Sequence, residues 1–308
     1  MAHAQDAGTW PGKQAITMIL PAGAGGSSDP IARLLAEQMG KELSQSIIVQ
    51  NRPGAGGNIG MAQASKAAPD GYTMVISWTG PLATNLALYK DVGYEPRKDF
   101  SPVGMIGCTP NVLAVSATLG PKNLADFEKY AKDKQDKASY GTTGTGSSWH
   151  IAGEMLSREI DNSLVHIPYQ TPGAALTDLL GGRLDAIFPV VPMTVPHVQA
   201  GKLAVLAVFS QERSSVLPDV PTTVEQGRAD LISDTCFALL TPAGTDAAIT
   251  GNLNKTLNTV LADPATRGKL EALGLQMRPG APAALTEYLD TEIPRQARLV
   301  AASGAQPQ

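Results

Sequence analysis

Residues 16–49 read ITMILPAGAGGSSDPIARLLAEQMGKELSQSIIV. An apolar run, Ile16 to Leu20, meets a glycine-rich loop, and Ile31, Leu34, Leu35 and Met39 then recur at helical spacing before a second apolar run, Ile47 to Val49. That succession predicts a β-α-β unit, whose two strands lie parallel because a helix carries the chain back. Pro30 suits the first helical position, with Asp29 or Ser28 as the N-cap. Four small residues in a row ahead of the cap exceed what a turn needs. A loop of this kind at a helix start presents unpaired backbone N–H groups and the positive end of the helix dipole, a place for a phosphate or a carboxylate.

Outward from this unit the same alternation continues. Short apolar runs stand at Thr73 to Ser77, Val103 to Ile106, Val112 to Val115, Leu164 to Ile167, Ala186 to Val190, Ala204 to Phe209 and Phe237 to Leu240, with helical patterns between them. The fold class is therefore α/β, with mostly parallel sheets covered on both faces. Breaks at Asp99–Pro102 and at Gly227–Asp234 suggest two domains. From Ala243 onward the chain is largely helical, with Ile249, Leu253, Leu257, Val260 and Leu261 on one face. Too poor in strands to stand alone, this tail is expected to pack on the first domain. The expected organisation is lobe 1 from 1–103 and 236–308 and lobe 2 from 104–235, with hinge crossings near 101–110 and 233–240.

Composition removes several functions. With 43% hydrophobic and 17% charged residues the chain can bury a core, which excludes general disorder. The net charge of −4, with no basic run, argues against a nucleic-acid partner. The longest apolar stretch, Ala186 to Pro196, is interrupted by prolines and falls short of the roughly 18 residues that span a bilayer. Ala2-His3-Ala4 before Gln5 fits a signal-peptidase pattern, so an exported, periplasmic protein with its leader removed is expected.

A second loop, Tyr140 to His150 (YGTTGTGSSWH), repeats the design before a helix with Ile151, Met155, Leu156 and Ile160 on one side. Nucleotide chemistry fits neither loop well. Gly23-x-Gly25-x-x-Ser28 lacks the third glycine of a dinucleotide fingerprint, and Gln50-Asn51-Arg52 stands where an acidic ribose ligand belongs. No Gly-Lys-Ser/Thr follows either loop. A Rossmann-like, nucleotide-dependent oxidoreductase is the alternative function. Hydrolysis is disfavoured, because no G-x-S-x-G elbow occurs and His3, His150, His166 and His197 form no evident triad. No metal-ligand spacing occurs either, so no catalytic set, metal or cofactor is expected.

The strings PAGAGGSSDPIAR (21–33), NRPGAGGNIG (51–60), PDGYT (69–73), DFSPV (99–103), GTGSSWH (144–150), HIPY (166–169), AGKL (200–203), LPDVP (217–221) and TPAGT (241–245) appear in order over nearly the whole chain. This sequence resembles the Bug family, the periplasmic substrate-binding receptors of tripartite tricarboxylate transporters. The resemblance implies a two-lobe, type II-like periplasmic-binding fold with a ligand cleft between lobes. It also implies a small organic acid as ligand, permease subunits in the membrane as partners, a monomer, and no enzyme activity. Carried onto this chain, the ligand contacts are Gly25, Gly26, Ser27, Ser28 and Asp29 from the first loop and Gly144, Thr145, Ser147, Ser148 and His150 from the second. Tyr169-Gln170-Thr171 and Phe188-Pro189 depart from the family's frequent Tyr-Lys-Gly and Phe-Asp.

Trp78 with Thr79 ends the third strand, Trp149 follows the second loop, and Tyr169 and Phe188 lie at or in strands. With only 5% aromatic residues in the chain, this placement suggests rings facing a flat, apolar ligand body. The expected ligand is an aromatic mono- or dicarboxylate such as terephthalate. Cys108 and Cys236, one in each crossing, are expected to lie close together; an oxidising compartment permits a bridge, but adjacent strands often hold cysteines at unsuitable geometry, so a disulfide is the minority expectation.

Overall fold

The computed structural model describes residues 10–25, 28–144 and 147–303, and these fall into two compact units. The first comprises residues up to 108 together with 236–297, and the second 109–235 together with 298–303. Relative to the expected lobes, the first division falls at Cys108/Thr109 instead of 103/104, and the last described residues group with the second unit. The chain runs β1 (Ile16–Leu20), α1 (Ser28–Leu43), β2 (Ile47–Asn51), α2 (Asn58–Ser65), β3 (Thr73–Trp78), α3 (Asn85–Leu88) and β4 (Phe100–Pro110). It continues with β5 (Val112–Ser116), α4 (Leu124–Asp133), β6 (Ala138–Thr142), α5 (Ser148–Glu159), β7 (Leu164–Pro168), α6 (Pro172–Leu180), β8 (Ala186–Ile187), α7 (Val191–Gln199) and β9 (Leu203–Val208). It then returns through β10 (Asp234–Pro242), α8 (Ala247–Ala262), α9 (Pro264–Ala272), β11 (Gln276–Met277) and α10 (Pro282–Ala302).

Unit 1 is built on a six-stranded sheet in the order β11-β4-β10-β3-β1-β2. Strand alternation divides its core in two. Ile16, Met18, Leu20, Met74 and Ile76 face a cluster with Ile31 and Leu35 of α1 and Ile249, Leu253 and Leu257 of α8. Ile19, Val75, Met105 and Leu240 face the other side, against Met61 of α2 and Leu285 and Leu289 of α10. The helical C-terminal stretch thus covers both faces of the sheet begun by β1, burying apolar side chains worth roughly 1.5–3 kcal/mol each.

Unit 2 carries a five-stranded sheet, β7-β6-β8-β5-β9, around one core that includes Phe127, Tyr140, Leu156, Leu179 and Phe209. Both sheets are mixed, where mostly parallel sheets are expected from the sequence. β1 pairs parallel with β2 and β3, and β6 with β7 and β8, but β10 runs antiparallel to β3 and β5 antiparallel to β8 and β9. Helical crossovers give the parallel pairs; β10, on which the chain re-enters unit 1, and β5, the first strand wholly in unit 2, give the antiparallel ones. The expected strand at 186–190 shortens to Ala186–Ile187. Pro189 has no amide to donate, and the Phe188 carbonyl accepts from the Asn111 side chain at 2.7 Å.

Cys108 and Cys236 form a disulfide across neighbouring strands β4 and β10, with Cα atoms 3.9 Å apart. The expected proximity holds, and the bridge, the minority expectation from the sequence, is made. It sits within unit 1, at the residues where the chain leaves that unit and re-enters it. Among the described residues, no helix is long and apolar enough to cross a membrane.

Candidate functional site

The first Gly-rich loop runs from the end of β1 into α1 and turns at Gly25, whose φ of 77° lies in the region that favours glycine. Asp29 is buried in the first turn of α1 and points back into this loop. Its Oδ2 accepts from the Gly25 N–H at 3.2 Å and from Arg33 Nε at 3.0 Å. Its Oδ1 accepts from Arg33 Nη2 at 3.1 Å and from Asn51 Nδ2 at 3.0 Å. The same Asn51 amide also donates to the Ala22 carbonyl at 3.1 Å. With about four lone-pair positions, an ionised carboxylate so surrounded is saturated. The Arg33 and Asn51 bonds, aided by Gly25, hold its pKa down at about 2. Asp29 therefore fixes the loop from within instead of capping α1. Ser28 is buried beside it, while Gly26 and Ser27 lie outside the described residues.

Two of the partners were missed by sequence reasoning, though both left a signal. Arg33 stands four residues after Asp29, the spacing of a helical ion pair, and Asn51 ends β2 opposite Leu20 in the β1–β2 register.

The second loop runs from β6 into α5. Ser147 is the N-cap, with extended φ −63° and ψ 158°, and its Oγ accepts from the His150 N–H at 3.3 Å while donating to the Gly144 carbonyl at 2.8 Å. Gly144 has a φ of 107°, open only to glycine without strain, and its N–H donates to Thr142 Oγ1 at 3.1 Å. Ser148 opens the helix. Its Oγ accepts a long bond, 3.4 Å, from Asn111 Nδ2, which leaves the hydroxyl proton free to point elsewhere. Among the described residues, the Ser148 and Trp149 amides have no acceptor, as the first N–H groups of a helix require. Thr145 lies outside the described residues.

His150 is buried, 3% exposed, with its ring centroid 4.2 Å from that of His166. Burial, helped by its neighbour His166, lowers its pKa to about 4, so the ring is neutral. Burial lowers the pKa of His166 as well, while the Glu154 carboxylate opposes that shift.

The aromatic residues divide. Trp149 is 5% exposed and lies in the unit 2 core, and Phe188 is fully buried there, edge-on to Tyr140 and Phe209. Both rings are thus packed within unit 2, where exposed faces are expected from the sequence. The physical reason for Trp149 is its helical spacing with Ala152, Leu156 and Ile160, which turns it inward with them. Trp78 and Tyr169 are half-buried against their own cores. Tyr169 donates to Asp178 Oδ2 at 2.7 Å, and burial together with that carboxylate pushes its pKa up to about 12. The Thr79 hydroxyl accepts from the Cys236 N–H at 2.8 Å and bonds Tyr288 at 2.8 Å, so it ties unit 1 together.

Both helix starts thus have a loop held from behind, and at α5 the Ser148 hydroxyl and the first amides are without acceptors among the described residues. The profile for the tripartite tricarboxylate transporter family receptor matches residues 31–305, and the chain belongs to that family. Its structure is similar to a Rhodopseudomonas palustris protein, Rpa4515, solved with adipate, at 31% identity and a TM-score of 0.85, covering 97% of this chain and 100% of that one. It is similar to MatC of the same organism with bound malate, at 30% identity and a TM-score of 0.79, covering 94% and 99%. The periplasmic binding protein BugD is 32% identical with a TM-score of 0.80, covering 96% and 99%.

Proposed function

We propose that the protein is a periplasmic receptor that captures a small dicarboxylate unchanged and passes it to membrane permease subunits. The observation that carries this reading is the start of α5. There, behind a serine N-cap whose hydroxyl is spent on the Gly144 carbonyl, the Ser148 hydroxyl and the Ser148 and Trp149 amides, without acceptors among the described residues, present donors at the positive end of a helix. Related proteins solved with adipate and malate support a dicarboxylate as the class. The start of α1 in the other unit offers a second place for a carboxylate. Hinge closure on the ligand remains part of the proposal.

An aliphatic dicarboxylate is the first reading. The aromatic specificity expected from the sequence drew on four rings, of which Trp149 and Phe188 are committed to the core; terephthalate is thus the ligand to test against. The oxidoreductase alternative finds no support from the family or from related structures.

Calorimetry with adipate, malate and terephthalate, with the acid recovered and checked by NMR, tests this. Tight binding of an acid returned intact is expected. Steady conversion of the acid, or no binding of any carboxylate in a broad panel, overturns the proposal. Small-angle scattering with and without the bound acid tests closure, which an unchanged radius of gyration would refute.

A further inference from the structure

Strands β6 and β7 pair in parallel with Tyr140 opposite His166, so Tyr140, Thr142 and His166 share one face of the sheet. Helix α5 lies on that face so closely that a Cβ at Gly153 would fall 2.1 Å from the Tyr140 ring. Glu154 accepts from the Tyr140 hydroxyl at 2.6 Å, and the His150 ring lies against His166. The titratable groups around His166 are thus His150 and Glu154 from α5 and Tyr140 from β6.

The decisive contact is Thr142 Oγ1 to His166 Nε2, at 2.6 Å. Thr142 is fully buried and has one hydroxyl proton to give. Its oxygen already accepts from the Gly144 N–H. If His166 Nε2 carried a proton and donated across this contact, the Thr142 proton would be left only the Gly144 carbonyl, 3.4 Å away, a poor bond; if Nε2 accepts, the proton has the short contact. The pattern assigns His166 as the acceptor, neutral and carrying its proton on Nδ1. That leaves the Gly144 carbonyl to Ser147 Oγ, which in turn caps His150 N. The path from His166 through Thr142, Gly144 and Ser147 to the first turn of α5 is then continuous.

The geometry points to His166 as a positioning residue for ligand binding: by accepting the Thr142 proton it fixes the direction of the Thr142 hydroxyl, and so sets the loop that presents Ser148. His166 itself touches no ligand in this account. The inference rests on the reading of that loop as a carboxylate site, but its structural half stands without a ligand.

Two measurements separate the parts. Nitrogen-15 NMR of the ligand-free protein reads the tautomer, where an unprotonated Nε2 at His166 is expected, and Thr142→Val should shift that nitrogen and speed exchange of the Gly144 amide. A protonated Nε2, or an unchanged Gly144 amide, overturns the inference whether or not any acid binds.

Calorimetry with adipate then reads the consequence. Thr142→Val should weaken binding about tenfold, as for the loss of one organising hydrogen bond, and Thr142→Ser should restore it. His166→Phe should weaken binding similarly, and the double variant Thr142→Val/His166→Phe should be no weaker than either single one, because both break the same path. Additive losses, or wild-type affinity in Thr142→Val, overturn it. If adipate, malate and terephthalate all fail to bind the wild type, the dicarboxylate reading fails, and the NMR arm alone decides whether His166 sets the loop.

Discussion

At the start of α1 a carboxylate takes four hydrogen bonds from a guanidinium, a side-chain amide and a backbone N–H; at the start of α5 a threonine, a serine and two neutral imidazoles serve instead. The first arrangement depends on charge and sits near water, since the Arg33 side chain is 52% exposed. The second is uncharged at its centre and enclosed by β6, β7 and α5. Two units of one chain thus hold a Gly-rich loop by different physics, and acid or substitution should disturb them differently.

The largest expected effect separates core from site. Trp149→Ala removes a buried ring from unit 2 and should cost about 3–5 kcal/mol, whereas Trp78→Ala, at a half-buried ring, should cost less. Thermal or urea unfolding of both variants checks this. If Trp149→Ala instead unfolds like the wild type and loses terephthalate binding selectively, the ring belongs to the site and the aromatic reading returns.

Acid should act on the two loops in turn. A buried histidine with a lowered pKa contributes stability that is full above the unfolded value of 6.5 and is lost as pH falls through about 4, a change on the order of 3 kcal/mol for His150. Asp29, also lowered, keeps its contribution above 3.8 and loses it only as pH falls through about 2. The Asp29 effect is smaller because its half-exposed Arg33 partner is screened by water. Amide exchange followed between pH 7 and pH 4 should therefore loosen the loop before α5 while the loop before α1 holds. The reverse order would break the comparison.

Smallest is Ser148→Ala. The amides at the start of α5 survive the change, so affinity for a bound dicarboxylate should fall only about tenfold, with unfolding unaltered. An undiminished affinity would move the binding role wholly to the backbone and sharpen the contrast with the first loop.

Much of this was legible in the residues. The apolar periods located β1, α1 and β2, and the inward face of α8 followed from Ile249, Leu253 and Leu257. The glycine loops marked both helix starts. Local pattern also held the burial of Trp149, since Ala152, Leu156 and Ile160 share its face, yet nearness to a glycine loop suggested an exposed ring. What pattern could not reach was contact set by register. Thr142 and His166 meet because β6 and β7 align, and Asn111 reaches Ser148 and Phe188 from β5's edge, over sequence separations of 37 and 77 residues. No periodicity encodes such distances.

The bridge between Cys108 and Cys236 spans 128 residues of sequence and thereby encloses the stretch 109–235 as a covalent ring attached to unit 1. A protease that nicks this stretch once opens the ring but releases nothing. Both halves stay fastened through the two sulfur atoms, so a surface cut that would sever a linear receptor leaves one molecule. Damage to the chain and loss of the chain become separate events, and a reductant is what joins them.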